Sequence, residues 1–365
     1  MSTTYRKITP LSIIVCLTIV SLTTAFNAQA RYSEDRGGRS TTTTIMASKA
    51  QQQASLGMWT REARTAAKPL PLPSEDVAPP NADAAPTGAP SAASSGAADP
   101  KAVQAAQAQY PEEWAALTAN SDATTMVEPM GTAGVFTSYL GNYFSEMHTS
   151  FPYAAVGKLY FTTPGGSSSC SASVISGNNI IVTAAHCVFD TSNNIWYNNW
   201  TFVPADRAGA APFGSFPWAS ATVLTNWMNA SGTDRRYDVA VINLGTNSSG
   251  IPVTSYTGWL GRSWNFGSTQ HHHAIGYPSN LDSGLYTYIC AAESFSGGTD
   301  VLGMGCNMTF GSSGGPWIRA FTPYTGGSVN YVNSVVSGGT PGTNTFYGAR
   351  FNDNNIVLLC NTAGC

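Results

Sequence analysis

The clearest shortage in this 365-residue sequence is of charged side chains, which make up 10% of the residues, against about 25% in ordinary soluble domains. The 17 basic and 20 acidic residues leave no basic excess, which argues against nucleic-acid binding and gives no support to binding of an anionic membrane. The 36 glycines, with many serine, threonine and asparagine residues, indicate instead a loop-rich all-β protein solvated by hydroxyl and amide groups.

Long apolar runs are also scarce. The run at residues 11–26 follows Arg6 and Lys7 and is followed by the small-residue pattern Ala28-Gln29-Ala30. It is shorter than the roughly 20 apolar residues that span a bilayer, and no later segment reaches that length. Residues 1–30 are therefore predicted to be a secretory signal peptide, with an uncleaved anchor as the alternative. We expect a secreted protein, extracellular or periplasmic, with no membrane contact after cleavage.

The tight C-x-x-C pairs that are typical of zinc sites are absent. Loss of Cys16 with the signal peptide leaves an even number of cysteines, which indicates disulfides formed in an oxidising compartment. The remaining cysteines are Cys170, Cys187, Cys290, Cys306, Cys360 and Cys365. Their number alone leaves about 15 pairings open.

Residues 31–130 differ in composition from the rest of the chain, and the stretch at residues 68–108 cannot bury a core. Between residues 68 and 108 the chain is dominated by alanine, proline and serine, and the prolines interrupt any helix. Residues 101–120 are compatible with helices on either side of Pro111, but each piece is too short to be stable alone. We predict that residues 31–130 are largely disordered and serve as a linker or as a propeptide.

Helical periodicity is lacking in residues 131–365, where the composition becomes aromatic, β-branched and glycine-rich. Short apolar segments alternate there with turn residues and are predicted to be strands. They are residues 154–161, 171–175, 179–183, 221–224, 239–244, 273–275, 286–289, 316–318, 332–336 and 356–359. Many short strands predict one large β-barrel or two small ones rather than a βαβ sheet.

The strongest chemical motif is Thr183-Ala184-Ala185-His186-Cys187, which follows the apolar run 180–182. A histidine at the end of a strand, between small side chains, is held still while one side of its ring stays accessible. That is what a general base requires. We therefore predict that His186 is a general base rather than an ordinary buried histidine.

A second motif is the run Gly311-Ser312-Ser313-Gly314-Gly315-Pro316. Its glycines allow a tight turn that exposes the Ser313 hydroxyl and directs the N–H groups of Gly311 and Ser313 at one point, as an oxyanion hole requires. The run also fits the G-x-S-x-G elbow of lipases and esterases, in which the histidine follows the serine. That alternative fails because every histidine here precedes Ser313, namely His148, His186, His271, His272 and His273.

A carboxylate is expected between the histidine and the serine to orient the imidazole. Asp238 begins the apolar run 238–244, where burial of a carboxylate is costly unless a donor such as an imidazole N–H receives it. The other candidates occupy polar, turn-like settings, and they are Asp190, Asp206, Asp234, Asp282, Glu293 and Asp300. Asp238 is therefore predicted to be the orienting acid.

With Cys170, TAAHC at 183–187, DVAV at 238–241 and GSSGGP at 311–316, the sequence resembles the chymotrypsin-like (trypsin-fold) serine peptidases. The resemblance implies two six-stranded antiparallel β-barrels, with the active site in the cleft between them. It implies His186 as base, Asp238 as its orienting carboxylate, Ser313 as nucleophile, and the Gly311 and Ser313 amides as oxyanion hole.

The same resemblance implies a secreted serine endopeptidase that hydrolyses peptide bonds of proteins or peptides through an acyl-enzyme. No metal ion or organic cofactor is needed for this chemistry, and a monomer is expected. Two alternatives keep the same fold, namely a non-catalytic secreted binding module and an esterase that uses the same three residues.

Ser312 departs from the family pattern. Animal members have an aspartate there, which receives the new N-terminal ammonium when the zymogen is cleaved. A serine cannot form that ion pair, so any activation must differ. The sequence therefore resembles the bacterial glutamyl-endopeptidase-like branch more than the animal members. Residues 274–278 also resemble a strand of that branch.

The resemblance assigns substrate binding to two segments. One wall of the specificity pocket would be formed by Asn307, Met308, Thr309 and Phe310, and the backbone that pairs with substrate would be that of Ser337, Gly338 and Gly339. The absence of a carboxylate in these segments disfavours cleavage after arginine or lysine. Glutamate specificity is also doubtful because Val336 stands where that branch has a histidine, although Thr309 or residues 271–273 could reach an acidic group. A neutral or apolar preference is expected.

The resemblance also implies a Cys170–Cys187 disulfide beside the histidine. For the other four cysteines we favour Cys290–Cys306 and Cys360–Cys365, with a crossed Cys306–Cys360 pair as the alternative. The consecutive histidines at 271–273 point to opposite faces of a strand and cannot converge on one metal ion without a turn. They are predicted to lie in a surface loop or at the start of a strand.

Overall fold

The computed structural model describes residues 30–32, 41–73, 88–119, 135–141, 145–230, 232, 234–339 and 343–365. Apart from Ala30, the predicted signal peptide lies outside the described residues. The strands of the N-terminal half are β1 (Ala30–Tyr32), β2 (Thr42–Met46), β3 (Lys68–Pro69), β4 (Ser91–Ala93), β5 (Phe136–Leu140), β6 (Val156–Thr163), β7 (Gly166–Ser176) and β8 (Ile180–Thr183).

The strands that follow in the chain are β9 (Phe189–Asp190), β10 (Ile195–Trp196), β11 (Asn198–Pro204), β12 (Phe216–Leu224), β13 (Ala240–Leu244), β14 (Gly261–Trp264), β15 (His271–Gly276), β16 (Tyr288–Gly298), β17 (Val301–Gly305), β18 (Pro316–Arg319), β19 (Tyr331–Val335), β20 (Gly338–Gly339) and β21 (Thr345–Ala349).

The α-helices are short, and they are α1 (Lys49–Met58), α2 (Arg61–Ala66), α3 (Pro100–Gln109), α4 (Pro111–Ala119), α5 (Ser145–His148), α6 (Thr225–Asn229), α7 (Val253–Thr257) and α8 (Ile356–Ala363). One-turn 3-10 helices lie at Tyr153–Ala155, Ala185–Cys187, Arg235–Tyr237 and Asp282–Gly284. Among the described helices, none combines the length and the apolar content that a membrane crossing requires.

The first barrel is a closed antiparallel sheet in the order β12-β11-β6-β7-β8-β13, and pairing of β13 with β12 closes it. Its strands are rich in β-branched and aromatic residues, which pack well on a pleated surface. All four residues of β8 are buried. The core includes Val174, Ile181, Phe202 and Val241.

The second sheet follows the order β20-β21-β17-β16-β15-β18-β19-β14-β4, with β5 paired to β16. Its pairs are antiparallel except for β14 with β19. A separate apolar cluster fills it and includes Leu302, Met304, Trp317 and Phe346. The predicted all-β, two-barrel architecture is confirmed by this arrangement of a closed barrel and a second sheet.

The described parts of residues 31–130 are folded against the barrels, although composition predicted a largely disordered segment. β2 pairs with β12, so that Thr42–Met46 lies opposite Ser220–Leu224. The Ile45 side chain is 2% exposed and enters the core of the first barrel. Composition misled because the segment lacks a core of its own, whereas pairing with β12 satisfies its backbone and the barrel buries its few apolar side chains.

Helices α1 and α2 are fixed to the first barrel by buried side chains. The Trp59 ring lies 5.4 Å from that of Tyr160, and its indole N–H donates to the Asn199 carbonyl at 2.7 Å. The buried Arg64 donates to the Gly209 carbonyl at 2.7 Å. The segment before the barrels is therefore packed against them.

Helices α3 and α4 meet at Pro111, where the sequence analysis placed a break. Ala106 is fully buried, and the Trp114 indole packs edge-on against Phe213 and donates to the Pro212 carbonyl at 2.8 Å. These tertiary contacts stabilise two helices that are each too short to persist alone.

The predicted strand at residues 356–359 is wrong, because these residues lie in α8. The Asn355 side chain caps this helix by accepting from the Ile356 N–H at 2.5 Å, and Leu359 and Cys360 are buried. A run of four apolar residues fits a buried strand and a buried helix face equally well, so the pattern could not distinguish them.

Disulfides join Cys170 to Cys187, Cys290 to Cys306 and Cys360 to Cys365. The first connects β7 to the turn that follows β8. The second connects β16 to the segment after β17, and the third closes the end of α8. The crossed Cys306–Cys360 pair does not occur.

Candidate active site

His186 lies in the one-turn helix that directly follows β8. Ala184 and Ala185 before it are fully buried, and the next residue, Cys187, is bonded to Cys170 of β7. The His186 side chain itself is 8% exposed. The small neighbours and the disulfide hold the imidazole in a fixed position at the edge of the first barrel.

The His186 ring is within hydrogen-bond distance of a carboxylate and a hydroxyl. Its Nδ1 atom lies 2.8 Å from Oδ2 of Asp238, and its Nε2 atom lies 2.8 Å from Oγ of Ser313. The backbone N–H of His186 also donates to Oδ1 of Asp238 at 2.9 Å. With its proton on Nδ1, the ring donates to the carboxylate and accepts from the hydroxyl. The structure thus brings together three residues that are far apart in sequence.

Asp238 precedes β13 and is completely buried. Besides the two bonds from His186, it accepts a hydrogen bond from the Ser337 hydroxyl at 2.5 Å. Burial alone would raise the pKa of Asp238, but the neighbouring His186 ring and the hydrogen bonds from His186 and Ser337 together hold that pKa below its ordinary value. The carboxylate therefore remains ionised at neutral pH.

Ser313 lies in a tight turn before β18. The glycines at 311 and 314 have φ angles of +87° and +78°, which disfavour residues with a Cβ atom. At Gly311 a Cβ atom would lie only 2.6 Å from the Tyr277 carbonyl oxygen, and at Gly314 it would collide with the Thr183 side chain. Both glycines are therefore required for this turn.

Ser171 of β7 supports the turn from the first barrel. Its N–H donates to the Ser313 carbonyl at 2.8 Å, and its hydroxyl donates to the Gly311 carbonyl at 2.8 Å. The same hydroxyl accepts from the Tyr277 N–H at 3.0 Å. Sequence reasoning missed Ser171 and the Ser337 hydroxyl, because both act through contacts with residues more than 90 positions away. The one feature of the sequence that could have pointed to Ser171 is its position next to Cys170, whose disulfide lies beside His186.

Ser312 is fully buried and bonds within its own loop. Its hydroxyl donates to the Thr309 carbonyl at 2.6 Å, and its N–H donates to the same carbonyl at 3.1 Å. The side chain thus points away from His186. The two adjacent serines have different environments, and only Ser313 lies against the imidazole.

The two predicted substrate-binding segments lie beside the Ser313 turn. The N–H of Gly314 donates to the Val336 carbonyl at 2.7 Å, and the Val336 N–H donates to the Gly315 carbonyl at 2.9 Å. The turn is therefore joined to the chain that leads into Ser337. Gly338 and Gly339 continue as β20, which pairs with β21.

Asn280 is hydrogen-bonded to the other predicted segment, residues 307–310. Its side-chain oxygen accepts from the Thr309 N–H at 3.0 Å and from the Thr309 hydroxyl at 2.6 Å, and its amide donates to the Asn307 carbonyl at 2.8 Å. Met308 is buried in the cluster that includes Val336, whereas Phe310 is 46% exposed. This segment thus combines a buried Met308 side chain with a loop that is hydrogen-bonded to Asn280 at residues 307 and 309.

The histidine tract lies on β15, and its side chains alternate in exposure. His271 is exposed, and the fully buried His272 lies 3.3 Å from Oδ1 of Asn333. The His273 ring stacks on Phe321 with centroids 4.4 Å apart. Burial lowers the pKa of His272 and of His273 to about 4 in each case.

One group of metal-ligating residue types clusters within the described part of the chain. Its potential ligand atoms lie within 4.8 Å of one another, and they belong to Cys170, His186 and Cys187. The two sulfurs are bonded to each other in a disulfide, which removes the thiolates that a metal would need. This group does not fit a metal centre.

No protein-family model and no curated protein matches the sequence. Solved structures do match. The crystal structure of the protease Anisep from Arthrobacter nicotinovorans is 29% identical over 57% of this chain and 95% of that chain, with a TM-score of 0.51. A Glu endopeptidase is 18% identical over 65% of this chain and 100% of that chain, with a TM-score of 0.52. A thermostable serine protease, AL20, from an extremophilic microorganism is 28% identical over 55% of this chain and 93% of that chain, with a TM-score of 0.49.

These matches cover more than half of this chain and nearly the full lengths of the neighbours. Their identities are low, but the fold agrees with the closed first barrel and the second sheet described above. The neighbours are chymotrypsin-like serine proteases that include a Glu endopeptidase, and this chain has their two-barrel fold.

Proposed function

We propose that the protein is a secreted serine endopeptidase that cleaves peptide bonds by means of Ser313, His186 and Asp238. The observation that carries this proposal is the position of the His186 ring, which lies 2.8 Å from the carboxylate at one nitrogen and 2.8 Å from the hydroxyl at the other. This arrangement is the one that activates a serine as a nucleophile. The similarity to a protease over 57% of the chain supports peptide substrates.

In the first half of the reaction, Oγ of Ser313 attacks the carbonyl carbon of the scissile peptide while its proton passes to Nε2 of His186. The carbonyl electrons move to oxygen, and the N–H groups of Gly311 and Ser313 stabilise that oxyanion. Collapse breaks the C–N bond as Nε2 gives its proton to the leaving amine. The product is an ester of Ser313.

In the second half, water attacks the ester as His186 takes a proton from it. Collapse of the second intermediate returns the proton to Oγ of Ser313 and releases the acid. Throughout, Asp238 keeps the imidazole proton on Nδ1 and stabilises the cationic ring. Because the pKa of Asp238 lies below its ordinary value, the carboxylate holds its charge through both halves.

We propose a preference for neutral or apolar side chains next to the scissile bond. Met308 and Val336 contribute to one apolar cluster beside the Ser313 turn. The Thr309 hydroxyl is bonded to Asn280 at 2.6 Å, so it is not free to bind an acidic substrate side chain. These contacts argue against transfer of the specificity named for the Glu endopeptidase.

We also propose that the protein is exported. The predicted signal peptide supports export, and three disulfides are typical of proteins that fold in an oxidising compartment. Sequencing of the N-terminus of the protein recovered from culture medium would test both the cleavage after Ala30 and any later removal of residues up to 130.

The test of catalysis is covalent labelling with a fluorophosphonate probe, which reacts with an activated serine. The wild-type chain should take up label over several hours, and Ser313→Ala should take up none. Ser312→Ala is a matched control, because it removes a hydroxyl from the same turn that points away from His186. We expect this variant to remain labelled.

Equal labelling of the wild-type chain and Ser313→Ala would reject an activated serine and favour a non-catalytic binding module. If the wild-type chain takes up label, fresh unlabelled protein would be incubated with a peptide library and with simple esters. Ester hydrolysis without cleavage of any peptide would make the protein an esterase, whereas the cleaved peptides would reveal the preference beside the scissile bond.

A further inference from the structure

The segment Lys68–Pro73 lies across the cleft between the barrels. At its start, β3 pairs in parallel with β7, so that Lys68 and Pro69 lie opposite Ser168 and Ser169. The Ser168 hydroxyl donates to the Lys68 carbonyl at 2.9 Å, and the Leu70 N–H donates to the Ser169 carbonyl at 2.9 Å. The backbone of the segment is therefore bonded to the first barrel on one side of the catalytic residues.

The next carbonyl of the segment reaches the proposed oxyanion hole. The Gly311 N–H, one of the two donors assigned to that hole, donates to the Leu70 carbonyl at 3.2 Å. Pro69 packs on the same glycine, since a Cβ atom built on Gly311 would lie 2.9 Å from Cβ of Pro69. A substrate carbonyl cannot use this donor while the Leu70 carbonyl occupies it.

The end of the segment contacts the second barrel. Leu72 packs against the apolar cluster of the proposed specificity wall, which includes Met308 and Val336. The Pro73 carbonyl accepts from the Arg235 guanidinium at 3.4 Å, and it lies 2.6 Å from the position of a Cβ atom built on Gly338. The segment thus passes from β7 to the backbone that was expected to pair with substrate.

The catalytic side chains have little exposed surface in the intact chain. Ser313 has no exposed surface, and His186 is 8% exposed. The remaining cavity beside the imidazole has a volume of about 370 Å³. It is bounded on one side by Leu70–Pro73 and on the other by aromatic side chains that include Phe189, Tyr197 and Trp227.

The sequence of the segment suits a bound peptide. It reads Lys-Pro-Leu-Pro-Leu-Pro, and each proline fixes one φ angle near −65°. A restricted chain loses little conformational entropy when it is held in one conformation. The segment is also anchored by α2, which precedes it and is tied to the first barrel by Arg64. A tethered ligand has a high effective concentration in its site.

We propose that residues 68–73 are an internal ligand of the active-site cleft that keeps the intact chain latent until the segment is displaced or removed. The proposal rests on the proposed peptidase function, because it assigns regulation to the same Ser313 site. It also assigns the apolar wall at Met308 and Val336 to a leucine side chain, that of Leu72.

The test is Leu72→Asp in the full chain, which places a carboxylate against the apolar cluster. The matched control is Leu281→Asp, because Leu281 is also partly buried against this cluster but is not part of the segment. With the fluorophosphonate probe, we expect the initial rate of Ser313 labelling to rise at least tenfold in Leu72→Asp. It should stay within about threefold of the wild-type rate in Leu281→Asp.

A second measurement reports occupancy without catalysis. In the Ser313→Ala background, hydrogen exchange is followed in peptides that cover residues 68–73 and 309–313. Both should be protected in the parent and should exchange at least tenfold faster with Leu72→Asp. They should be unchanged with Leu281→Asp, which separates release of the segment from general loosening of the barrel.

The outcomes separate the two proposals. If the wild-type chain and Leu72→Asp label at the same rate and exchange alike, the segment does not block the cleft, although labelling itself would uphold the peptidase. If no variant labels but Leu72→Asp loses protection, the segment occupies the cleft and the peptidase proposal fails. A rate increase of the same size in both aspartate variants would also overturn the latency proposal.

Discussion

Replacement of Asp238 by asparagine tests the link between the buried carboxylate and catalysis. Asp238 has no exposed surface and accepts from the His186 N–H at 2.9 Å, from Nδ1 of the same ring at 2.8 Å and from the Ser337 hydroxyl at 2.5 Å. An amide has one acceptor oxygen in place of two and must turn its NH₂ group toward one of these donors.

If the NH₂ group faces Nδ1, the ring must carry its proton on Nε2. That nitrogen can then no longer accept the proton of Ser313, and kcat/KM should fall about 10⁴-fold. Such a loss corresponds to about 5 kcal/mol of transition-state stabilisation. The free energy of unfolding should fall by less, about 1–3 kcal/mol, because the substitution preserves side-chain volume and some of the hydrogen bonds.

The assay is the rate of Ser313 labelling or of peptide hydrolysis, expressed relative to the wild-type chain. Since both chains keep residues 68–73, the ratio isolates the effect of the carboxylate. Asp190→Asn is the control, because Asp190 lines the same cavity but bonds to Ser192 and Asn193. It should retain at least a third of the activity. A folded Asp238→Asn protein with more than a tenth of wild-type activity would refute the assigned role.

Three further changes have defined outcomes. Ser337→Ala removes one donor to Asp238 and should lower kcat about tenfold with little change in KM, as measured by steady-state kinetics. Burial lowers the pKa of His148 to about 3 and that of His272 to about 4. Above pH 6.5 these two histidines should thus leave the free energy of unfolding unchanged. Below pH 6.5 each of them should lower that free energy by about 1.4 kcal/mol per pH unit, until the pH reaches the lowered pKa of that histidine. Denaturant titrations at several pH values should show a smaller fall in His272→Gln. Ile45→Ala should cost about 2–4 kcal/mol of stability if β2 belongs to the barrel, whereas an alanine at Met46, which is 50% exposed, should cost little.

The residues that meet at the His186 ring could be predicted from the sequence because their signals are local. Glycines on both sides of Ser313 predict a tight turn wherever it lies in the fold, and small residues around His186 predict a constrained ring. Asp238 was identified by the cost of placing a carboxylate at the head of an apolar strand. Each inference needed only a few neighbouring residues, and each of these residues lies in the cluster around the His186 ring.

The position of residues 68–73 in the cleft could not be predicted from neighbouring residues in this way. Pairing of β3 with β7 joins residues about 100 positions apart, and nothing in an alternation of proline and leucine marks a partner. Composition predicted that the stretch at residues 68–108 cannot bury a core of its own, but disorder does not follow when the barrels supply the core. Ile45 and Leu72 are buried by residues of the barrels rather than by their own neighbours.

Some of the few ionisable side chains of this sequence are buried inside the structure. Lys158 is buried, with Nζ donating to the Gly284 carbonyl at 2.9 Å, and burial lowers its pKa against the opposing effect of Asp206. The Tyr160 hydroxyl donates to the Asp206 carboxylate at 2.8 Å, and the Tyr277 hydroxyl donates to the Asp206 carbonyl at 2.9 Å. Because the Tyr277 carbonyl lies against Gly311, these hydrogen bonds connect the first barrel to the Ser313 turn. Lys158 and Asp206 are thus two of the few ionisable residues of the sequence, and both are buried in the network that leads to the Ser313 turn.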